Sequence, residues 1–172
     1  SNAFVANPGG AKLEMRGQPA ALIAWPSGRF DLSGAATLSG GGFPKADIAF
    51  SGRGIAGKAI VAPMQADGAR LAFTPIIFDL NNGVRLETVL IMDGPLGSGR
   101  VQGVRVPLAL RPGRDVLAGC HDIRFERLDI AGLRLDPASL ATCLTPQGAS
   151  ISNPQLAGRL GDSGIRIAAK SA

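Results

Sequence analysis

The chain has 172 residues, of which 45% are hydrophobic and 18% charged, and its formal net charge is +5. This length and composition suit one folded domain with a sizeable core and exclude a disordered polymer. The 24 glycines and 12 prolines argue against long helices, while one tryptophan and no tyrosine leave few aromatic side chains for stacking on nucleic acid bases. The positive charge is spread over single arginines, which argues against a nucleic-acid partner and permits weak attraction to anionic head groups.

The first three residues, Ser1-Asn2-Ala3, are interpreted as the remnant of a cleaved purification tag. Residues 4–172 are expected to form a single β-rich domain. The sequence contains no stretch of roughly 18 uninterrupted apolar residues, as a membrane-spanning helix requires, and no signal peptide. We therefore expect no membrane span within this fragment, and any export or anchoring segment to belong to a longer natural protein.

Short strands separated by glycines are predicted through the first third of the chain, at 12–16, 20–25, 29–33, 35–38 and 46–50. Several of them alternate polar and apolar residues, which is the period of a half-buried strand. Residues 52–57 fit the pattern G-x-G-x-x-G. Because no strand–loop–helix unit surrounds that pattern, it is interpreted as glycine-rich turn sequence.

Two hairpins and a long strand are predicted in the middle of the chain. Asp67-Gly68 joins strands at 58–65 and 70–74, and Asn82-Gly83 joins strands at 76–80 and 84–92. A strand is predicted at 100–110, followed by a turn at 111–114. In this strand Leu110 points to the same side as the apolar residues at 104, 106 and 108. Since Pro107 has no backbone donor, this strand is expected to be an edge strand or to bulge there.

The stretch 120–143 changes its local pattern twice. Ile123 and Phe125 share one face, whereas Leu128 and Ile130 have the opposite register, so a bulge near residue 126 or 127 is expected to restore a common face. Asp136-Pro137 is typical of a helix start, which predicts one or two helical turns over 137–143. The alternative is an extended segment. A last pair of strands, 155–160 and 164–169, is predicted to turn at residues 161–162.

The predicted fold class is all-β. No helical stripe is available to cover a sheet, so the apolar faces must meet each other or stay open as a groove. We expect an extended, curved, mostly antiparallel sheet, either an open groove or a flattened sandwich or half-barrel, with at most one or two short helical turns.

No catalytic site, metal site or cofactor is predicted. One histidine and two cysteines 23 positions apart fit no zinc spacing, and the aspartates lie mostly at turns. Cys120 and His121 are adjacent on a strand and point to opposite faces, so they cannot act as a nucleophile and its base. His121 is therefore interpreted as an exposed histidine beside a structural cysteine, and the protein is not expected to be an enzyme.

The two cysteines, Cys120 and Cys143, suit a disulfide in an oxidising compartment. Such a bond would add about 3 kcal/mol of stability by restricting the unfolded chain. The alternative is a pair of free thiols in a cytosolic protein.

The glycine-bounded strand 46–52 and the segments 120–135 and 140–143 together resemble the YdbH-like branch of the AsmA-like proteins, relatives of TamB in Gram-negative bacteria. That family has been described both as a "dicarboxylate transport" domain and as intermembrane phospholipid transporters. The resemblance, which covers most of the chain from about residue 30, implies a periplasmic fragment of an inner-membrane-anchored protein. It further implies a long, curved sheet with an apolar interior, and lipid acyl chains that pass along this interior. It implies no catalytic residues.

Candidate residues for such a groove are apolar side chains on successive predicted strands. They are Phe30, Leu32, Ile48, Phe50, Leu71, Phe73, Leu90, Val104, Val106, Leu108, Ile123 and Phe125. The alternative for each is a place in the closed core of a β-sandwich. The expected partners are phospholipid acyl chains, other segments of the same longer chain or an envelope protein. The alternative function is a structural or interaction β module that pairs through its sheet edges.

Overall fold

The computed structural model describes residues 4–6, 9–24, 26–113, 119–145, 148–152 and 154–168. The proposed tag residues 1–3, and the predicted strand or turn ends at residues 25, 114 and 169, lie outside these ranges. Every regular element of the described residues is a β-strand, which confirms the all-β fold class.

The strands are β1 (Phe4–Ala6), β2 (Ala11–Ala24), β3 (Arg29–Gly40), β4 (Phe43–Ser51), β5 (Ala56–Val61), β6 (Met64–Ala66), β7 (Ala69–Phe73), β8 (Ile76–Asp79), β9 (Arg85–Leu96), β10 (Gly99–Leu110), β11 (Gly119–Phe125), β12 (Arg127–Ile130), β13 (Leu133–Leu135), β14 (Ala138–Thr145), β15 (Gly148–Ser152), β16 (Gln155–Leu160) and β17 (Ser163–Ala168).

The chain groups into two compact units. Unit 1 contains residues 1–63, 73–88 and 109–113, and unit 2 contains residues 64–72, 89–108 and 114–172. The expectation of a single β-rich domain over 4–172 stays a prediction.

Unit 1 is an antiparallel ladder in which neighbouring strands pair in the order β1, β2, β3, β4, β5, β8 and β9. Glycines make its tight connections: Gly41 and Gly42, with φ of 62° and 78°, turn the chain from β3 to β4. Two consecutive residues with positive φ form the hairpin turn that matches the twist of paired strands. The two strands predicted at 12–16 and 20–25 form one strand, β2, whose register with β3 shifts between Arg16 and Ala20.

Unit 2 is also antiparallel. In it β11 pairs with β14, β12 with β13, β13 with β16, β14 with β15, and β16 with β17. Its turns include Asp67-Gly68 between β6 and β7, where φ is 49° and 79°. The predicted hairpin at residues 67–68 and the turn at 161–162 are thereby confirmed.

In place of the bulge expected near residue 126 or 127, the structure has a one-residue break between strands, across which the pairing with β10 keeps one register. Glu126 separates β11 from β12, and its N–H donates to the carbonyl of Gln102 at 2.9 Å. Gly103, on the facing strand, has φ of 62°, a conformation that glycine adopts without strain. Phe125, before the break, is buried, and Leu128, after it, is half-buried.

The helical turns predicted over 137–143 are wrong. These residues belong mostly to β14, which pairs with β11 on one side and β15 on the other. The two ladders satisfy the backbone of β14, and Pro137 lies in the break between β13 and β14, where no ladder donor is needed. The extended alternative was the correct one.

Pro107 was expected to mark either an edge strand or a bulge. The edge-strand expectation is wrong. Strand β10 has hydrogen-bonded neighbours on both sides, β9 and β11, so it is not an edge strand. Its irregular residue is Gly103. Among the described pairs of β10 with β11 and β12, none involves Pro107, so the missing donor breaks none of them.

Gly57 is expected to be intolerant of a side chain. It lies opposite Phe50 on one neighbouring strand and Phe78 on the other, and the two rings meet edge to face with centroids 5.9 Å apart. A Cβ at Gly57 would press on the carbonyl of Ala49 and lie 3.0 Å from the Phe78 ring. Gly57→Ala should therefore lower the free energy of unfolding by about 2 kcal/mol, measured by urea denaturation. The control is Gly164→Ala, because that position has open space and an ordinary φ; equal losses at both positions would contradict the packing argument.

Candidate functional site

The two faces of unit 1 differ in chemistry. Residues directly opposite each other on neighbouring strands point to the same face. One row of such residues crosses five strands and is entirely apolar: Met15, Ala36, Ile48, Ala59 and Ile76. Parallel rows on the same side contain Leu13, Leu38, Ala46 and Val61, and Phe50, Gly57, Phe78 and Leu86. We call this side the apolar face of unit 1.

The opposite side, shifted by one residue along each strand, is mixed and polar. One of its rows contains Arg16, Ala35, Ala49, Lys58, Ile77 and Glu87. On this side the Thr37 hydroxyl donates to Asp47 at 3.0 Å, and Arg111 pairs with Glu87 at 3.1 Å. Every residue of that row is exposed, so this is the solvated side of the sheet.

The apolar face is not covered as a closed core would be. The buried residues of its rows are small, Ala36 at 2% exposure and Ala46 at 6%, while its large side chains are half-buried or exposed. Ile23 and Phe30, paired at one end of the face, are 67% and 39% exposed. The large side chains of this face are therefore only partly covered by the described residues.

The structure brings four predicted residues together on this face. Phe30 and Leu32 lie on β3, and Ile48 and Phe50 on β4. Phe73, at the end of β7, is half-buried. The apolar rows also contain Phe78, Ile76 and Val61, which were not proposed from the sequence. The strand register across β4, β5 and β8 identifies them, because this register places Phe78 on the same face as Phe50.

A second group of predicted residues lies together in unit 2. Arg105 is opposite Arg124, so Val104 and Val106, one residue to either side, face Phe125 and Ile123. Ile123 and Phe125 are in turn opposite Leu140 and Ala138. Phe125 is buried, at 5% exposure. The remaining predicted residues of unit 2, Leu71, Leu90 and Leu108, are half-buried.

His121 is not the exposed histidine that was expected. It is half-buried, it lies two residues before Ile123 and thus on the same face, and its Nε2 is buried without a hydrogen-bond partner in the structure. Cys120 is the exposed residue of the pair. The prediction that the two side chains point to opposite faces of the strand agrees with this arrangement.

Cys120 and Cys143 form a disulfide and are direct cross-strand partners on β11 and β14. The bond joins the strand before the Glu126 interruption to the strand after Pro137. It also places the covalent link on the face opposite to Ile123.

Unit 1 also has a cavity of about 820 Å³ where β3 and the loops 52–55 and 80–84 meet. The buried carboxylate of Asp31 organises it: one oxygen accepts the Gly54 N–H at 2.6 Å, and the other accepts two donors of Arg29 at 2.9 and 2.7 Å. The Gly54 hydrogen bond, and then Arg29, lower the pKa of Asp31 below its ordinary value of 3.8. Asp31 is therefore ionised at neutral pH.

Among the residues that the structure describes, no group of three histidine, cysteine or acidic side chains could hold a metal ion. The same residues include no helix long and apolar enough to cross a membrane. Comparisons of the chain with protein-family models, with curated proteins and with solved structures found no match.

Proposed function

We propose that this chain is a non-enzymatic, lipid-handling segment of an inner-membrane-anchored periplasmic protein, and that phospholipid acyl chains bind along its apolar faces. In this proposal the whole protein moves phospholipid between the inner and outer membranes. The observation that carries the proposal is the apolar face of unit 1, where uninterrupted apolar rows leave their large side chains half-buried.

The energetics favour a hydrocarbon ligand on such a face. Half-buried side chains still expose apolar surface, and burying it contributes about 25 cal/mol per Å². Neighbouring strands are about 4.8 Å apart, so a row across five strands runs for about 19 Å. An extended hydrocarbon chain can contact such a row along its length. Because no polar side chain interrupts the row from Met15 to Ile76, no hydrogen bond is lost when water leaves.

The compartment in the proposal is supported by the disulfide. Structural disulfides persist in oxidising environments such as the bacterial periplasm. The same compartment is implied by the resemblance of segments 120–135 and 140–143 to the AsmA-like proteins. The proposal also assigns no enzymatic role to the chain. The buried carboxylate of Asp31 already accepts hydrogen bonds from Gly54 and Arg29, so we assign it a structural role.

The test is to express the chain in the periplasm of a Gram-negative bacterium, purify it without detergent and extract it with organic solvent. We expect mass spectrometry to find phospholipid in the extract. Ile23→Asp should reduce it severalfold, because a carboxylate on the apolar face must be desolvated to contact an acyl chain. Ile60→Asp is the matched control, since Ile60 is also more than half exposed but pairs with Asp47 on the polar side.

Two results would contradict the proposal. One is a folded chain that is rigorously lipid-free. The other is an equal loss of lipid from both variants, which would show that the apolar face has no special part. A lipid-free chain that forms oligomers would instead favour the structural or interaction module that pairs through sheet edges.

A further inference from the structure

The cavity at the end of unit 1 combines apolar and basic groups. Its apolar lining comes from Phe30, Ile55 and Leu80, and its charged lining from Arg29, Asp31 and Arg53. Phe30 also belongs to the apolar face through its pairing with Ile23. The cavity therefore adjoins the end of the surface on which acyl chains are proposed to bind.

The loop that carries Arg53 is held firmly. The N–H of Leu32 donates to the carbonyl of Gly54 at 2.9 Å, and the N–H of Gly54 donates to Asp31. From the other side, the Asn81 side chain accepts the Ile55 N–H at 2.8 Å and donates to the Arg53 carbonyl at 3.3 Å. A loop fixed on both sides presents its side chain with little loss of backbone entropy on binding.

The charges of the cavity do not cancel. Arg29 and Asp31 form an ion pair at 2.7 Å and neutralise each other. Arg53 is exposed, and among the described residues no ion pair joins it to a carboxylate. The lining has two arginines and one acid, which leaves one net positive charge.

We infer that this cavity binds the phosphodiester of an anionic glycerophospholipid, with Arg53 as the charge partner of the phosphate; this rests on the proposed binding of acyl chains to the apolar face. A guanidinium is well suited to phosphate because its donors match the phosphate oxygens. A zwitterionic lipid would bring an ammonium group as well. That group would meet two guanidinium groups and a single carboxylate whose oxygens already accept donors from Gly54 and Arg29.

The experiment titrates the purified, delipidated chain with dihexanoyl phosphatidylglycerol and dihexanoyl phosphatidylcholine, both below their micelle concentrations, and follows binding by NMR. The wild-type chain should bind the phosphatidylglycerol several times more tightly. Arg53→Gln should weaken that binding about five- to tenfold and weaken phosphatidylcholine binding less, so the preference for phosphatidylglycerol should shrink. Arg16→Gln is the matched control, because Arg16 is an exposed arginine of the same unit outside the cavity.

A third probe, glycerophosphoglycerol, separates a lipid site from a site for free phosphodiesters. It should bind at least tenfold more weakly than the lipid; equal affinity would overturn the lipid assignment. Equal binding of the two lipids by the wild-type chain, or an Arg53→Gln variant with wild-type affinity, would overturn the head-group inference and leave acyl-chain binding intact. Failure of the wild-type chain to bind either lipid would overturn both.

Discussion

Phe125→Ala is expected to lower the free energy of unfolding by about 3 kcal/mol. Phe125 is 5% exposed, whereas most of the large apolar side chains described are half-buried or exposed. It lies opposite Ala138 on β14 and faces Val104 on β10, so its removal leaves a cavity that these small neighbours on paired strands cannot fill. Urea denaturation followed by circular dichroism measures the loss.

The matched control is Phe30→Ala, which makes the same chemical change on a surface that is 39% exposed. It should cost less than half as much, because much of the Phe30 ring already contacts solvent. Equal losses would mean that Phe30 is covered in solution as fully as Phe125, and the apolar face of unit 1 would then be a closed core.

The second large effect is expected from the disulfide. Cys120→Ser combined with Cys143→Ser should lower the free energy of unfolding by about 3 kcal/mol, because the bond closes a loop with a sequence separation of 23. Both residues are already opposite each other in the β11–β14 ladder, so the ladder should survive in the variant and the loss should arise mainly in the unfolded chain.

A reducing agent provides the control for this variant. It should destabilise the wild-type chain by a similar amount and leave the double variant unchanged. A wild-type chain whose stability does not respond to reduction would show that the bond contributes nothing, and would remove one support for the periplasmic proposal.

The strand content could be predicted from the sequence because it depends on local patterns. Alternation identified β3 and β4, and Asp67-Gly68 and the turn at 161–162 located two hairpins. An irregularity near Glu126 was predictable as well, since the apolar positions change parity there, although a bulge was predicted and the structure has a break between strands. The helical turns over 137–143 were wrong because Asp136-Pro137 resembles a helix start locally, whereas the ladders to β11 and β15 decide the conformation.

The site was only partly predictable, because it depends on register between strands. Phe30, Leu32, Ile48 and Phe50 were recognised from alternation within β3 and β4. Phe78 was missed because its place beside Phe50 depends on the offset of β4, β5 and β8, which has no signal within any one strand. The cavity was missed for the same reason: Asp31 and Gly54 are 23 residues apart, and Asn81 is 28 residues from Arg53.

The central claim is that phospholipid acyl chains lie on the apolar face of unit 1, and photocrosslinking in living cells tests it most directly. A benzophenone side chain would replace either Phe50, on the apolar face, or Ser51, its neighbour on the opposite side. Irradiation followed by mass spectrometry of the purified chain should find phospholipid adducts at position 50 and few at position 51. Equal yields at the two positions, or no lipid adduct at position 50, would contradict the proposal.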